Sequence, residues 1–195
     1  MRTLVRSLIF TAGIVLAAQA WAADTYTIDP NHSSISFSVK HMMVSTVTGV
    51  FGDFTGSVTY DPKDQAAFKA DAVIQVKSID TRTPKRDDHL RGPDFFDAEK
   101  FPTITFTAKK LDKEDAQTVL TGDLTMKGVT KEVSIPVSIA GPVQGMGGAS
   151  VIGLSGSFTL NRQDYGVSWN KTLDNGGFVV GNDVKVEINV EAHKK

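Results

Sequence analysis

Apolar side chains recur at every second position in one segment after another of this chain, and that rhythm restricts the fold more than any other feature. It runs through Ile35, Phe37, Val39; Phe54, Gly56, Val58, Tyr60; Phe68, Ala70, Ala72, Ile74, Val76; and Ile104, Phe106, Ala108. It resumes in Leu120, Gly122, Leu124, Met126; Val133, Ile135, Val137, Ile139; Ile152, Leu154, Gly156, Phe158, Leu160; and Val184, Val186, Ile188, Val190. Period two places these residues on one face of a strand, and the Ser, Thr, Lys and Glu between them on the other. Turn residues such as Asp61-Pro62, Lys127-Gly128 and Gly145-Met146-Gly147-Gly148 separate the segments, so the pattern predicts an all-β, antiparallel protein. A sheet with one apolar face must pack on a second sheet or close on itself. Closure into a soluble barrel of about eight strands removes the exposed edges and leaves an interior that side chains fill or a small ligand occupies; a sandwich is the alternative. A membrane barrel, with apolar and polar faces reversed, needs longer strands and aromatic girdles, whereas several segments are short and aromatic residues make up 8% of the chain.

The first residues stand apart. Arg2 and Arg6 precede an apolar run from Leu8 to Ala18, which ends in Ala20-Trp21-Ala22. This reads as a secretory signal peptide over residues 1–22, too short in its apolar part to anchor the protein permanently in a membrane. The remaining 173 of 195 residues are the size of a single domain, residues 23–195, expected to be exported to a periplasm or the exterior. That portion keeps 19 basic and 22 acidic residues, a net charge of −3 without a basic run, and gives no reason to expect nucleic acid as a partner. The chain has no cysteine, so disulfides and thiol nucleophiles are excluded.

The span Arg86 to Phe106 interrupts the strand rhythm. Thr83-Pro84 is a helix entry in which the hydroxyl can cap, and Gly92-Pro93 is a stop, predicting two helical turns over residues 84–91. A further turn carries Phe95 and Phe96, only one of which is expected to enter the core directly. A catalytic reading makes His89 a general base oriented by Asp87 or Asp88, with Arg86 or Arg91 holding an anion. The simpler reading is a docked side wall or lid, charges outward and Leu90 with one phenylalanine inward. His32, His41, His89 and His193 have no metal-ligand spacing, and His193 falls in what reads as a frayed tail, so no metal is expected. Arg162 in Asn161-Arg162-Gln163-Asp164-Tyr165-Gly166 is expected to pair with Asp164 or with an anionic head group. The glycine-rich patch 141–153 reads as a mobile loop at the barrel mouth.

Three blocks resemble the signature of the YceI-like polyisoprenoid-binding family: Arg86-Asp87-Asp88-His89-Leu90-Arg91 with Asp94-Phe95-Phe96-Asp97 and Phe101 to Phe106; Gly122 to Lys131; and Asn161 to Val167. The opening Ile28-Asp29-Pro30-Asn31-His32-Ser33 fits as well. The resemblance implies a lipocalin-like barrel without cofactor chemistry whose apolar pore holds a long isoprenoid or fatty chain; a monomer or homodimer is expected. On that reading the pore is lined by Ile35, Phe37, Val39, Phe68, Ala70, Ala72 and Ile74. Leu90, Phe95, Phe96, Ile104, Phe106, Leu124, Met126, Ile135, Val137 and Phe158 complete it. Arg86, His89 and Arg162 are the candidates to meet a head group. The small residues Gly56, Ala70, Ala72, Ala108, Gly122 and Gly156 are expected to leave room inside. Two other functions fit the same residues: a lipid-modifying enzyme using His89 and a neighbouring aspartate, and an interaction module with a packed interior.

Overall fold

The computed structural model describes residues 23–174 and 176–195; the segment read as a signal peptide lies outside them. Among the described residues there are eleven strands, eight of them on the apolar rhythm: β1 (Asp24–Ile28), β2 (Ser34–His41), β3 (Ser45–Phe51), β4 (Phe54–Tyr60), β5 (Lys69–Gln75), β6 (Ile79–Asp80), β7 (Thr103–Glu114), β8 (Gln117–Met126), β9 (Val129–Gln144), β10 (Ser150–Asn161) and β11 (Val180–Lys194), with one α-helix, α1 (Pro84–Arg91). All pairings are antiparallel. The order β1-β4-β5-β7-β8-β9-β10-β11 returns to β1, closing a ring of eight strands. The other end of β11 pairs with β2, which carries β3 and β6 as an extension of the wall.

The ring has the expected strand number but different members. β1 takes part and β2 lies beside it, because β11 is 15 residues long and serves β1 with Ala192–Lys194 and β2 with residues 180–189. Strands β7 to β11 are also longer than the sequence pattern implied, from 10 to 16 residues. The glycine-rich patch is mostly strand: β9 runs to Gln144 and β10 begins at Ser150. Its connection lies at the opposite end of the barrel from the β2–β3 hairpin, since β10 starts beside His193 and finishes at Asn161 beside Asp183. Lys127 and Gly128 both take positive φ, 50° and 77°, the conformation that matches the twist of a two-residue hairpin between β8 and β9.

Which face turns inward follows from the charges. Lys185 and Glu187 on β11 pair at 2.7 Å on the outside, and Lys109 of β7 bridges Asp123 and Glu132 across β8 and β9. A polar exterior around an apolar interior is the reverse of a membrane-spanning barrel. Two apolar clusters fill part of the interior. One, around Phe51, Phe54, Ile79, Ile104, Met126 and Tyr165, lies by the helix; the other, around Tyr26, Val58, Phe68, Leu111 and Ile152, lies towards the far end. Many inward side chains, among them Ile35, Phe37, Ala70, Ala72 and Ile188, are only half-buried although they face the interior. Surface is left accessible there because the barrel is hollow.

Candidate functional site

The interior holds an apolar cavity of about 210 Å³. Sixteen of the seventeen residues expected to line a pore do so, from strands β2, β5, β7, β8, β9 and β10 and from the α1 segment. The exception is Phe68. It ends the 3-10 turn Gln65–Ala67 rather than starting β5, and it packs edge-on to Tyr60 at 6.4 Å within the far cluster. The lining also takes in Ile28, Phe51, Val58, Leu120, Leu154, Leu160, Val167, Val180 and the inward residues Val184 to Val190 of β11. Most of these stand in the alternating pattern and were recognisable as inward-facing. Val167 and Val180 lie in the irregular connection and its junction with β11, where periodicity gives no signal.

The expected spaces at glycines are mostly taken by neighbours. A Cβ on Gly122 would lie 2.5 Å from the Phe106 ring, and one on Gly49 the same distance from Phe37. These glycines let aromatic rings lie flat against the wall. A Cβ on Gly156 would meet Pro136 and Val137 at 3.0 Å. The small residues that face open space are Ala70 and Ala72 on β5.

One flank of the cavity is the inserted segment. Helix α1 forms over the predicted residues, but Thr83 makes no side-chain cap; its hydroxyl accepts from Arg86 Nη2 instead. Asp87 points inward rather than to water. It is 5% exposed and accepts from the Thr81 backbone N–H and hydroxyl, fixing the entry to the helix. Arg91 anchors the other end by donating to the carbonyls of Lys77 and Ile79, at 2.9 and 2.7 Å. Leu90, Phe95 and Phe96 all reach the cavity. Both phenylalanines can do so because residues 92–96 form consecutive turns, with Phe96 N–H bonded to the Leu90 carbonyl, instead of a regular helix. Phe96 meets Phe51 edge to face at 6.0 Å, and Phe95 packs against Trp169 at 5.3 Å.

The polar candidates separate. Arg86 does not face the cavity: its guanidinium donates to the Thr81 hydroxyl and carbonyl, both at 2.7 Å, and holds the loop before α1. His89 is outside the lining too. Its partner is neither Asp87 nor Asp88 but Asp94, at 2.9 Å on the surface, and its ring packs edge-on against Phe95 and Trp169. The histidine–aspartate pair thus lies outside the cavity lining, behind Phe95.

Arg162 is different. It is 4% exposed and lines the cavity. Asn161 and Gly166, the latter left-handed at φ 73°, bound the short turn that turns it inward. The expected ion pair with Asp164 does not form; Asp164 faces Lys131 at 3.8 Å. Instead the guanidinium donates to the carbonyls of Val167, Gly181 and Val180 and to the Asn182 side chain. These bonds use four of its five N–H groups. Burial pushes its pKa below the ordinary arginine value, and the residue is a cation balanced by carbonyl dipoles, with no contacting carboxylate among the described residues.

A family model described as a YceI-like domain matches residues 26–192. The UPF0312 protein SAS2572 of Staphylococcus aureus is 40% identical over 167 residues, covering 85% of this chain and 95% of its own. Among solved structures, Burkholderia cenocepacia BcnA superposes with a TM-score of 0.74 at 25% identity, over 84% of this chain and 98% of its own. A Campylobacter jejuni YCEI protein does so at 0.66 and 34% identity, over 80% and 90%. A polyisoprenoid binding domain from Saccharophagus degradans shares the fold, with a TM-score of 0.66 at 16% identity over 90% and 100%. The closed barrel, the inserted α1 segment and the hollow interior thus belong to a chain that is a member of the YceI-like family.

Proposed function

We propose that this protein is an exported, periplasmic carrier that takes the tail of a long-chain isoprenoid or fatty lipid into its barrel, with the lipid head towards Arg162. The observation that carries the reading is the cavity itself: about 210 Å³ lined by apolar side chains, with Arg162 as its one cationic side chain among the described residues and Asp71, whose carboxylate turns outward to Ser57, as the other charged residue at the wall. An apolar cavity of about 150 Å³ holds a benzene ring, so this one receives roughly one to two five-carbon units as it stands. Longer tails need Leu90 and Phe96 to swing aside, and both sit on an inserted segment rather than on the closed sheet. Transfer of each unit from water contributes roughly 4 kcal/mol, at about 0.8 kcal/mol per carbon, less the cost of ordering the tail.

The polar end of the ligand fits the same geometry. Arg162 has one N–H to spare and no acidic partner in contact, which suits a phosphate, carboxylate or quinone oxygen. Around that end the β2–β3 hairpin exposes Met42, Met43 and Val44, and Phe178 is exposed nearby, with Met42 N–H bonded to the Val179 carbonyl. An apolar rim there favours uptake from a lipid surface. The test is to extract the purified protein with organic solvent and analyse the extract by mass spectrometry. One chain-bearing lipid per barrel is expected. Accumulation of a chemically altered lipid after addition of precursor would favour catalysis instead, and an empty extract with no uptake of added lipid would favour an interaction module.

A further inference from the structure

On the outside of the barrel, away from the cavity, the seam between β1 and β11 gathers four groups that the lipid reading leaves unused. Alternation along β11 puts Glu191 and His193 on the same outer face. The tail that holds His193 is not frayed: Thr27 pairs with His193 and Ile28 with Ala192 where the ring closes. The turn Pro30–His32, opened by Asp29, docks beside them. Asp29 N–H donates to the Glu191 carbonyl at 2.9 Å, and Glu191 N–H donates to the Ser33 hydroxyl at 3.0 Å. Two segments some 160 residues apart in sequence are thereby fixed by one main-chain hydrogen bond and one to the Ser33 hydroxyl.

The side chains then converge. Asp29 Oδ2 lies 2.6 Å from His32 Nδ1 and 3.8 Å from His193 Nε2; Glu191 Oε1 lies 2.8 Å from His193 Nε2 and 3.9 Å from His32 Nδ1. Asp29, Glu191 and His193 alone place one ligand atom each within 4.8 Å of one another. A tetrahedral ion with bonds of about 2.1 Å needs ligand atoms about 3.4 Å apart. The two short contacts are hydrogen bonds that open when an ion replaces the shared proton, the two long ones close by about half an ångström, and His32, which lies outside the group of three, turns further to complete the set. Two carboxylates and two neutral imidazoles also balance a doubly charged ion. Imidazole nitrogen selects zinc-like transition ions over magnesium and calcium.

We propose that Asp29, Glu191 and His193, with His32 as fourth ligand, form a binding site for a divalent transition ion of the zinc class. The bound ion ties the β1–β2 turn to the last strand, across the seam that closes the barrel, and so stabilises the closed ring.

The test uses the full chain stripped of metal with a chelator and titrated with zinc chloride in a calorimeter near neutral pH. Expected are one ion per chain, a rise in melting temperature, and binding weakened at least about tenfold by Glu191→Gln or His193→Gln. His41→Gln, on β2 outside the cluster, should leave zinc binding unchanged. Equal zinc affinity in the wild type and in an Asp29→Asn/His193→Gln double variant would overturn the site. Should the variants fold poorly, imidazole resonances of the wild type decide: zinc is expected to shift those of His32 and His193, and shifts confined to His41 and His89 would overturn the proposal. Lipid content is measured on the same samples and is expected not to change.

Discussion

Ala72→Leu probes the hollow interior by the sign of two effects measured on one variant. Ala72 lies on β5 with its methyl towards the cavity, paired with Gly56 on β4 and Phe106 on β7. Leucine adds three carbons to that space. If the space is open in the lipid-free protein, the added carbons gain apolar burial, and stability rises by up to about 2 kcal/mol at roughly 0.8 kcal/mol per carbon. The same carbons occupy ground that a tail would use, so a lipid loses about 2.4 kcal/mol of transfer energy and its affinity falls on the order of fifty-fold. Urea denaturation of delipidated protein reads the first effect, and displacement of a fluorescent prenyl probe reads the second. In a packed interior the substitution overpacks, costing about 1–3 kcal/mol. Destabilisation on that scale, or unchanged probe affinity in a stabilised variant, would refute the reasoning.

Other residues give independent outcomes. Phe96→Ala should weaken probe retention by about tenfold or more through loss of its wall contact, whereas His89→Ala, outside the lining, should leave retention close to wild type; the probe titration compares them. Arg162→Met should destabilise the fold by roughly 3 kcal/mol in urea, because the carbonyls of Val167 and Gly181 lose charge-assisted donors while buried. Tyr165 is 2% exposed, and burial, reinforced by Asp164, raises its phenol pKa. Its neutral form is therefore favoured by folding: that contribution is complete below the ordinary tyrosine pKa and is lost as pH rises through the raised value. Stability measured from neutral to strongly alkaline pH should fall less steeply in Tyr165→Phe than in the wild type.

The wall of the barrel was legible in the sequence because burial on one face forces period two, and Ile35 to Phe158 keep that period except at bulges, such as the one after Ala108 in β7 that turns Leu111 inward. Helix α1 was legible because Pro84 and Gly92 mark both of its ends. What the sequence hid was governed by contacts between distant segments. The closing role of β1 depends on where the last residues of β11 arrive, and the five apolar and polar residues from Asp24 to Ile28 carry no sign of it. The inward turn of Asp87 depends on Thr81, and the failure of Arg162 to pair with Asp164 depends on carbonyls of residues 180 and 181. His32 and His193 looked scattered because both reach Asp29 and Glu191 only once the barrel has closed.

On the proposed function, an apolar tail occupies the space between β5, β11 and the α1 segment. The most direct measurement is a crystal structure of the delipidated protein soaked with a short prenyl alcohol. The expected result is continuous density for the tail beside Ala72, Phe96 and Ile188, with its oxygen towards Arg162. An interior closed over by the protein's own side chains after soaking, with the alcohol bound only on the outer surface, would contradict the claim.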